Sequence, residues 1–569
     1  MNLLPQPRSV RLEDGRVPWQ EPSTRADLSL PGEGYRLRIS ESGVELTAAD
    51  DAGAFYGRAT LEQLRRVNDG ELPRGTIEDW PDLPVRGVML DISRDKVPTT
   101  ETLHDLIDRL ASWKVNQVQL YTEHTFAYEH HREVWAEASP LTADEIRALD
   151  AYCQERYVEL VPNQNCLGHM GRWLKHARYD QLAIFPDGWT RRGRLQAPTT
   201  LDPAKPGSLV LVRELLAELL PNFTSERVNV GLDEPFEMPS ERFEEYGTWI
   251  TTMRGLPELD GREMLMWGDI LAEHPELISQ VPAGVTVCEW GYEDWHPFAP
   301  RTRALADAGL PFWVCPGTSS WMTVLGRVTN MRGDCHAAAQ AARENGGAGF
   351  LNTDWGDMGH LQYLPVSEPG LAYGAAVSWC LDANADIDLA AALDTHAFDD
   401  PAGELGAVLL ALGDAYLGVV PKIWNMSVLV MHLYWPQLQL GRTFSEGLTV
   451  KDLAAVEAGL DDAVAALQRA RPRRADGALV IEELSAGADL VALMCRDARA
   501  RLETDGWLAS VDEKQRLQLA ADLEPLIDTH RRLWLARNRP GGLEDSVAWL
   551  DHLLGCYRTG VTDRGWGGW

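Results

Sequence analysis

Between residues 85 and 356 of this 569-residue chain, eight short apolar runs alternate with amphipathic segments. The runs are VRGVMLDI (85–92), NQVQLYT (116–122), VELVPNQN (158–165), RVNVGLDE (227–234), EMLMWGD (263–269), VTVCEWGY (285–292), PFWVCPGT (311–318) and GAGFLNTDWG (347–356). Stretches with helical spacing, such as 101–112, 142–157, 208–220 and 333–345, lie between them. A strand buried on both faces reads as a near-continuous apolar run, and strands that alternate with helices pair in parallel. Eight such units predict an α/β fold, a (β/α)₈ barrel whose active site is built from the loops at the C-terminal ends of its strands.

The flanks have different periodicities. Tyr35, Leu37 and Ile39 alternate with polar residues, a Ser-Gly turn leads to Val44 and Leu46, and a helical stretch follows over 51–66. These predict a small N-terminal α+β domain over residues 1–78, ahead of a barrel over 79–385. After residue 385 strand signals cease, and Leu453, Val456, Leu460, Val464 and Leu467 share one helical face, so residues 386–569 are expected to form a helical domain. Within it, LWLARNRPGGLEDS (533–546) reads as a helix stop, a turn and a new helix, with a loop reaching over the barrel mouth as the alternative.

Composition narrows the partners. Lys and Arg number 53 against 85 Asp and Glu, a net charge of −32 that repels phosphate backbones and anionic membranes, so neither nucleic acid nor membrane is expected as a partner. No run approaches the roughly 18 apolar residues of a membrane span, and the start MNLLPQPRSVRLEDGRVPW lacks the pattern of a secretory signal. A cytoplasmic location is the resulting expectation. The eight cysteines lie singly, without CxxC, and are read as reduced core residues. The segment EHTFAYEHHREVW (123–135) has no HExxH spacing and is read as a polar loop, so no metal is predicted. The oligomeric state stays open, a homo-oligomer included.

Polar and aromatic residues gather at the C-terminal ends of the runs: Asp91, Glu123, Asn163 and Asn165, Asp233 and Glu234, Trp267 and Asp269, Glu289 and Trp290, Asp354 and Trp355. Among them Asp233 and Glu234 are adjacent, and Pro235 marks the point where strand becomes loop. Two carboxylates among aromatics at a barrel mouth suit glycoside chemistry, in which an acid protonates the leaving oxygen and a second group stabilises an oxocarbenium-like centre. Neighbouring carboxylates share one side of the sugar, whereas ordinary retaining and inverting pairs flank the bond. The adjacent pair therefore suits catalysis in which the sugar's own 2-acetamido oxygen attacks the anomeric carbon.

With these residues in view, the chain resembles glycoside hydrolase family 20, the β-N-acetylhexosaminidases, as a divergent branch. NVGLDE (229–234) is similar to the family's H-x-G-G-D-E, with Asn for His and Leu for the second Gly. The resemblance implies Asp233 as stabiliser of the acetamido group and Glu234 as general acid and base. LPVRGVMLDISRD (83–95) resembles the first-strand motif, which implies that Arg86 grips sugar hydroxyls. VPNQNCLGHM (161–170) resembles a third-strand motif that places His169 beside the acid, and LNTDWGDMGH (351–360) one that makes Trp355 a stacking wall and Asp357 a hydroxyl ligand. In LYTEHTFAY (120–128), Glu123 is the match for a supporting acid. The family's tyrosine for the acetamido oxygen should follow the seventh strand, where CPGTSSWMT (315–323) has none. Either a residue elsewhere, or Ser319 or Ser320, takes that role, or the acetamido preference is altered.

Trp267, Trp290 and Trp355 sit at strand ends, where an indole can stack on a sugar ring, and Trp321 beyond the seventh run is counted with them as a candidate. Trp313, inside its run, reads as core. The expected activity is an exo-acting, retaining β-N-acetylhexosaminidase acting on an oligosaccharide or glycoconjugate. A β-glycosidase for sugars lacking the acetamido group, and a sugar-binding barrel without catalysis, are the alternatives. No cofactor is implied, because protonation and neighbouring-group attack need only protein and substrate.

Overall fold

A computed structural model describes residues 2–191 and 194–562. Residue 1 and residues 563–569, counted above with the flanking domains, lie outside the described residues.

The eight apolar runs form a closed parallel barrel, with strands Val85–Asp91, Gln117–Thr122, Glu159–Gln164, Arg227–Asn229, Glu263–Trp267, Val285–Trp290, Phe312–Cys315 and Gly349–Asp354 in chain order. The eighth strand closes on the first, Gly349 opposite Val85 and Asp354 opposite Leu90. Helices such as Thr100–Ser112, Ala143–Gln154, Pro206–Leu219 and Val328–Asn345 fall between strands. Each of these four presents an apolar face inward, as their amphipathic spacing requires. Inside the barrel, side chains such as Met89, Val161, Leu265, Trp313 and Leu351 pack into one cluster, and Trp313 is buried core.

Buried amides sit among these apolar side chains and hydrogen-bond to one another. Gln119 donates to Gln117 (3.0 Å) and accepts from Asn163 (2.9 Å) and Asn229 (3.2 Å). A buried polar group is tolerated when it is paired, and this network fixes Asn229 at the end of the fourth strand.

The N-terminal unit is a five-stranded sheet that includes the hairpin Tyr35–Ser40 and Gly43–Ala48, with helix Asp51–Val67 packed on it. Its core extends to Trp379 and Cys380, which follow the barrel. Here the structure corrects one site expectation. Arg86 lies at the N-terminal end of the first strand, 1 % exposed, and pairs with Glu33 at 2.7 Å. It also donates to the Lys114 and Leu83 carbonyls and lies over the rings of Trp379 and Tyr56. A charge that opens a barrel strand points to the end opposite the active face. Arg86 therefore joins the N-terminal unit to the barrel floor.

Among the described residues no strand follows Asp354, and helices such as Val450–Leu467, Gly477–Leu502, Glu513–Arg537 and Leu543–Thr559 make up the C-terminal region. None of the described helices is long and apolar enough to cross a membrane. All eight cysteines are free and buried. The Arg-Pro-Gly-Gly stretch joins two helices and also packs against barrel loops beside the mouth. Arg539 N–H donates to Val97 (2.8 Å), its guanidinium pairs with Glu145 (2.6 Å), and Gly541 N–H donates to Ser139 (3.0 Å). A Cβ at Gly541 or Gly542 would lie 2.3 Å or 2.4 Å from Ala138 or Asp95, so glycine is required for this approach.

Candidate active site

The fourth run stays apolar to Leu232, yet its strand ends at Asn229. Asn229 Oδ1 accepts the Gly231 N–H at 3.0 Å, and the backbone then turns left-handed at Gly231 (φ 71°), Leu232 (φ 72°) and Glu234 (φ 47°). Adjacent residues in a strand face opposite ways, and these positive φ angles bring Asp233 and Glu234 to one pocket. At Gly231 a Cβ would lie 2.6 Å from the Asn165 side chain, so glycine is required there. Leu232 holds a left-handed conformation that costs a non-glycine residue about 1 kcal/mol or more. Its side chain is buried and its carbonyl accepts from Tyr246 Oη at 3.0 Å.

The loop after the third strand crosses the same point. Gly168 passes so close to the Asp233 carbonyl that a Cβ would stand 2.2 Å from its oxygen, and His169 follows at φ 54°. His169 Nε2 then sits 3.3 Å from Asp233 Oδ2 and 3.4 Å from Glu234 Oε2, with Nδ1 4.0 Å from Glu123. Burial disfavours the imidazolium, but the two carboxylates outweigh it and hold His169 well above its ordinary value. Burial likewise raises the Asp233 carboxyl, while His169 and a 2.7 Å hydrogen bond from Asn165 Nδ2 bring it below the usual range. Asp233 is thereby kept ionised. Glu123, raised by burial, accepts from Tyr121 Oη at 3.0 Å.

Asp269 supports the pair from the fifth strand end. Its Oδ2 accepts the Glu234 backbone N–H at 3.0 Å and its Oδ1 faces Trp290 Nε1 at 3.4 Å. Burial and the charge of Asp233 push its carboxyl well above the ordinary value.

Asp233 and Glu234 line a cavity of about 550 Å³ whose wall includes Glu123, His169, Trp267, Trp290, Trp355 and Asp357. Eight of the ten expected site residues thus meet in one place. Arg86, on the barrel floor, does not. Trp321 does not line the cavity either: it is buried behind the wall, edge-on to Tyr292 at 5.0 Å. Ser319 and Ser320 are committed elsewhere, Ser319 accepting from Arg327 and Asn330 and Ser320 donating to Asp354.

Two residues outside the expected set line the cavity as well, Arg94 and Tyr292. Arg94, three residues past the first strand, lines the cavity and pairs with Asp91 (3.0 Å), Glu123 (3.5 Å) and Asp357 (3.4 Å). Its sequence signal is the arginine of SRD, which follows the strand that Arg86 opens. Burial, resisted by Arg94, raises the Asp357 carboxyl to about 6. Tyr292, after the sixth strand, stacks on Trp290 at 5.1 Å, and its hydroxyl accepts from Trp355 Nε1 at 2.7 Å. The Thr353 side chain is a second hydrogen-bond partner of that hydroxyl. Asn165 was visible as a polar strand-end residue, but its grip on Asp233 was not.

Two family descriptions match the chain: glycosyl hydrolase family 20, domain 2, over residues 20–80, and glycosyl hydrolase family 20, catalytic domain, over residues 83–330. The chain belongs to glycoside hydrolase family 20. The family 20 relatives include a beta-hexosaminidase of Akkermansia muciniphila, 27 % identical over 43 % of this chain and 53 % of the relative. A beta-N-acetylhexosaminidase of Cellulomonas fimi is 24 % identical over 56 % of this chain and 65 % of its own length. The chain spans about half or less of the length of relatives such as the first of these and a lacto-N-biosidase of Bifidobacterium bifidum. The family 20 fold is also shared with a solved exo beta-N-acetylglucosaminidase of Vibrio harveyi, with TM-score 0.57 and 17 % identity over 72 % of this chain and 78 % of that one.

Proposed function

We propose that this chain is an exo-acting, retaining β-N-acetylhexosaminidase that uses the substrate's 2-acetamido group as its nucleophile. The observation that carries this reading is the single imidazole of His169 set between two adjacent carboxylates, one of them held ionised. Family membership and the names of the relatives support the sugar class.

In this reading the terminal N-acetylhexosamine lies against Trp267, Trp290 and Trp355, with Arg94 and Asp357 on its hydroxyls. Glu234 gives its proton to the glycosidic oxygen as that bond breaks. The acetamido oxygen attacks the anomeric carbon, and the positive charge that develops at nitrogen is met by ionised Asp233. Tyr292 donates its hydroxyl proton to the acetamido oxygen. Water then adds to the anomeric carbon and loses a proton to Glu234, which restores the acid and retains the configuration. The presence of Tyr292 in the cavity wall supports a substrate that carries the acetamido group.

The test is hydrolysis of matched nitrophenyl β-glycosides of N-acetylglucosamine, N-acetylgalactosamine, glucose and galactose. Release from the N-acetyl sugars alone supports the reading. Faster release from the plain sugars, or none from any, contradicts it.

A further inference from the structure

The cavity has two tiers of aromatic side chains. Trp267, Trp290, Tyr292 and Trp355 surround the acids and are largely shielded from solvent, as a wall around one enclosed sugar ring requires. Farther out stand Trp424, 57 % exposed, and Phe236, 40 % exposed, which line the same cavity. A ring seated against the acids and the inner wall does not need these outer side chains.

Trp424 comes from the C-terminal region, beyond residue 330 where the family match ends. Its position is nonetheless fixed to the inner wall. Glu293, next to Tyr292, forms a buried bidentate pair with Arg327 at 3.0 Å for each bond. Glu293 Oε1 also accepts the Asn425 N–H at 2.6 Å, and Arg327 donates to the Ile423 carbonyl at 3.5 Å. A bidentate, buried ion pair is a rigid anchor. The residues on both sides of Trp424 are thus held, and Asn425 sits in the left-handed region at φ 58°. Phe236, in the loop after the fourth strand, carries the Arg191 guanidinium 4.2 Å above its ring and forms another part of the outer wall.

A flat indole fixed at the mouth of a sugar pocket, beyond the ring that reacts, is suited to the apolar face of a second pyranose. We infer that Trp424 forms an aglycone subsite, on which the sugar attached through the departing oxygen stacks. This rests on the hexosaminidase reading and extends it: the substrate class is an oligosaccharide with at least two rings, selected in part by the C-terminal region.

The test compares wild type, Trp424→Ala and Trp424→Phe on two substrates of the epimer that the wild type prefers. One is the β-linked disaccharide ending in a second N-acetylhexosamine, and the other is the β-glycosyl fluoride, whose leaving group is a single atom. The ratio of kcat/KM for disaccharide to that for fluoride is expected to fall about tenfold in Trp424→Ala, the loss of one stacking contact, and to recover in large part in Trp424→Phe. An unchanged ratio in Trp424→Ala overturns the subsite while leaving the hexosaminidase reading intact. Failure of the wild type to cleave either substrate overturns that reading, and the subsite with it.

Discussion

His169 Nε2 stands almost equidistant from Asp233 Oδ2 and Glu234 Oε2, at 3.3 Å and 3.4 Å. His169 therefore bridges two neighbouring acids in a shielded pocket. Its effect on stability has a definite sign. The folded value of His169 is raised well above 6.5, so its contribution is complete below pH 6.5 and is lost as pH rises through the folded value. Asp233 is lowered from 3.8, so its contribution is complete above pH 3.8 and is lost as pH falls through the folded value. The gap in denaturant midpoint between wild type and His169→Gln should be widest between these limits and narrow at alkaline pH. Urea melts across pH will check this, and a gap that widened with rising pH would contradict it.

Replacing Glu234, the proposed proton donor, should cost more when the leaving group is poor. Glu234→Gln is expected to lower kcat about 10²–10⁴-fold on an alkyl glycoside, the usual range for general acid catalysis, and less on a nitrophenyl glycoside. Steady-state kinetics on the pair of substrates reads the difference directly.

Arg86 and Arg94 should separate cleanly. Arg86→Ala removes the ion-pair partner of Glu33 at the barrel floor and, with Glu33 23 % exposed and still bonded to Asn116, is expected to destabilise by less than the about 3–5 kcal/mol of a fully buried pair. The protein that still folds should keep its KM. Arg94→Ala should raise KM, because its guanidinium faces the cavity. Thermal melts alongside kinetics on both variants will decide, and a KM effect from Arg86→Ala alone would reverse the assignment.

Asp357, with its carboxyl raised to about 6 by burial, is ionised above that value and protonated below it. A carboxylate accepts two hydroxyl hydrogen bonds more readily than a neutral carboxyl does. KM should therefore rise as pH falls through about 6, and Asp357→Asn should remove that inflection. A pH series of KM for both proteins checks it.

The barrel was legible because each strand is short, doubly buried and written as an apolar run. Asp233, Glu234 and His169 were legible because their loops carry the proline and glycines that such turns require. Arg86 has the residue type that the motif calls for, but it opens the strand at the end opposite the cavity. Arg94 lies past the other end, where the chemistry is. Trp321 and Tyr292 exchange places for a related reason: distance past a strand end does not say which ring faces the cavity and which packs behind it. Trp424 left no signal, since helical periodicity marks a buried face but not the partner against which a connecting loop docks.

In the proposed mechanism the acetamido oxygen attacks the anomeric carbon while Asp233 steadies its nitrogen. The most direct measurement is kcat/KM for nitrophenyl β-glycosides whose N-acyl group is acetyl, monofluoroacetyl, difluoroacetyl or trifluoroacetyl. Fluorine withdraws electrons from the attacking oxygen, so the rate should fall steeply with each fluorine in the wild type. A flat series would show that the oxygen does not attack, and would contradict the account.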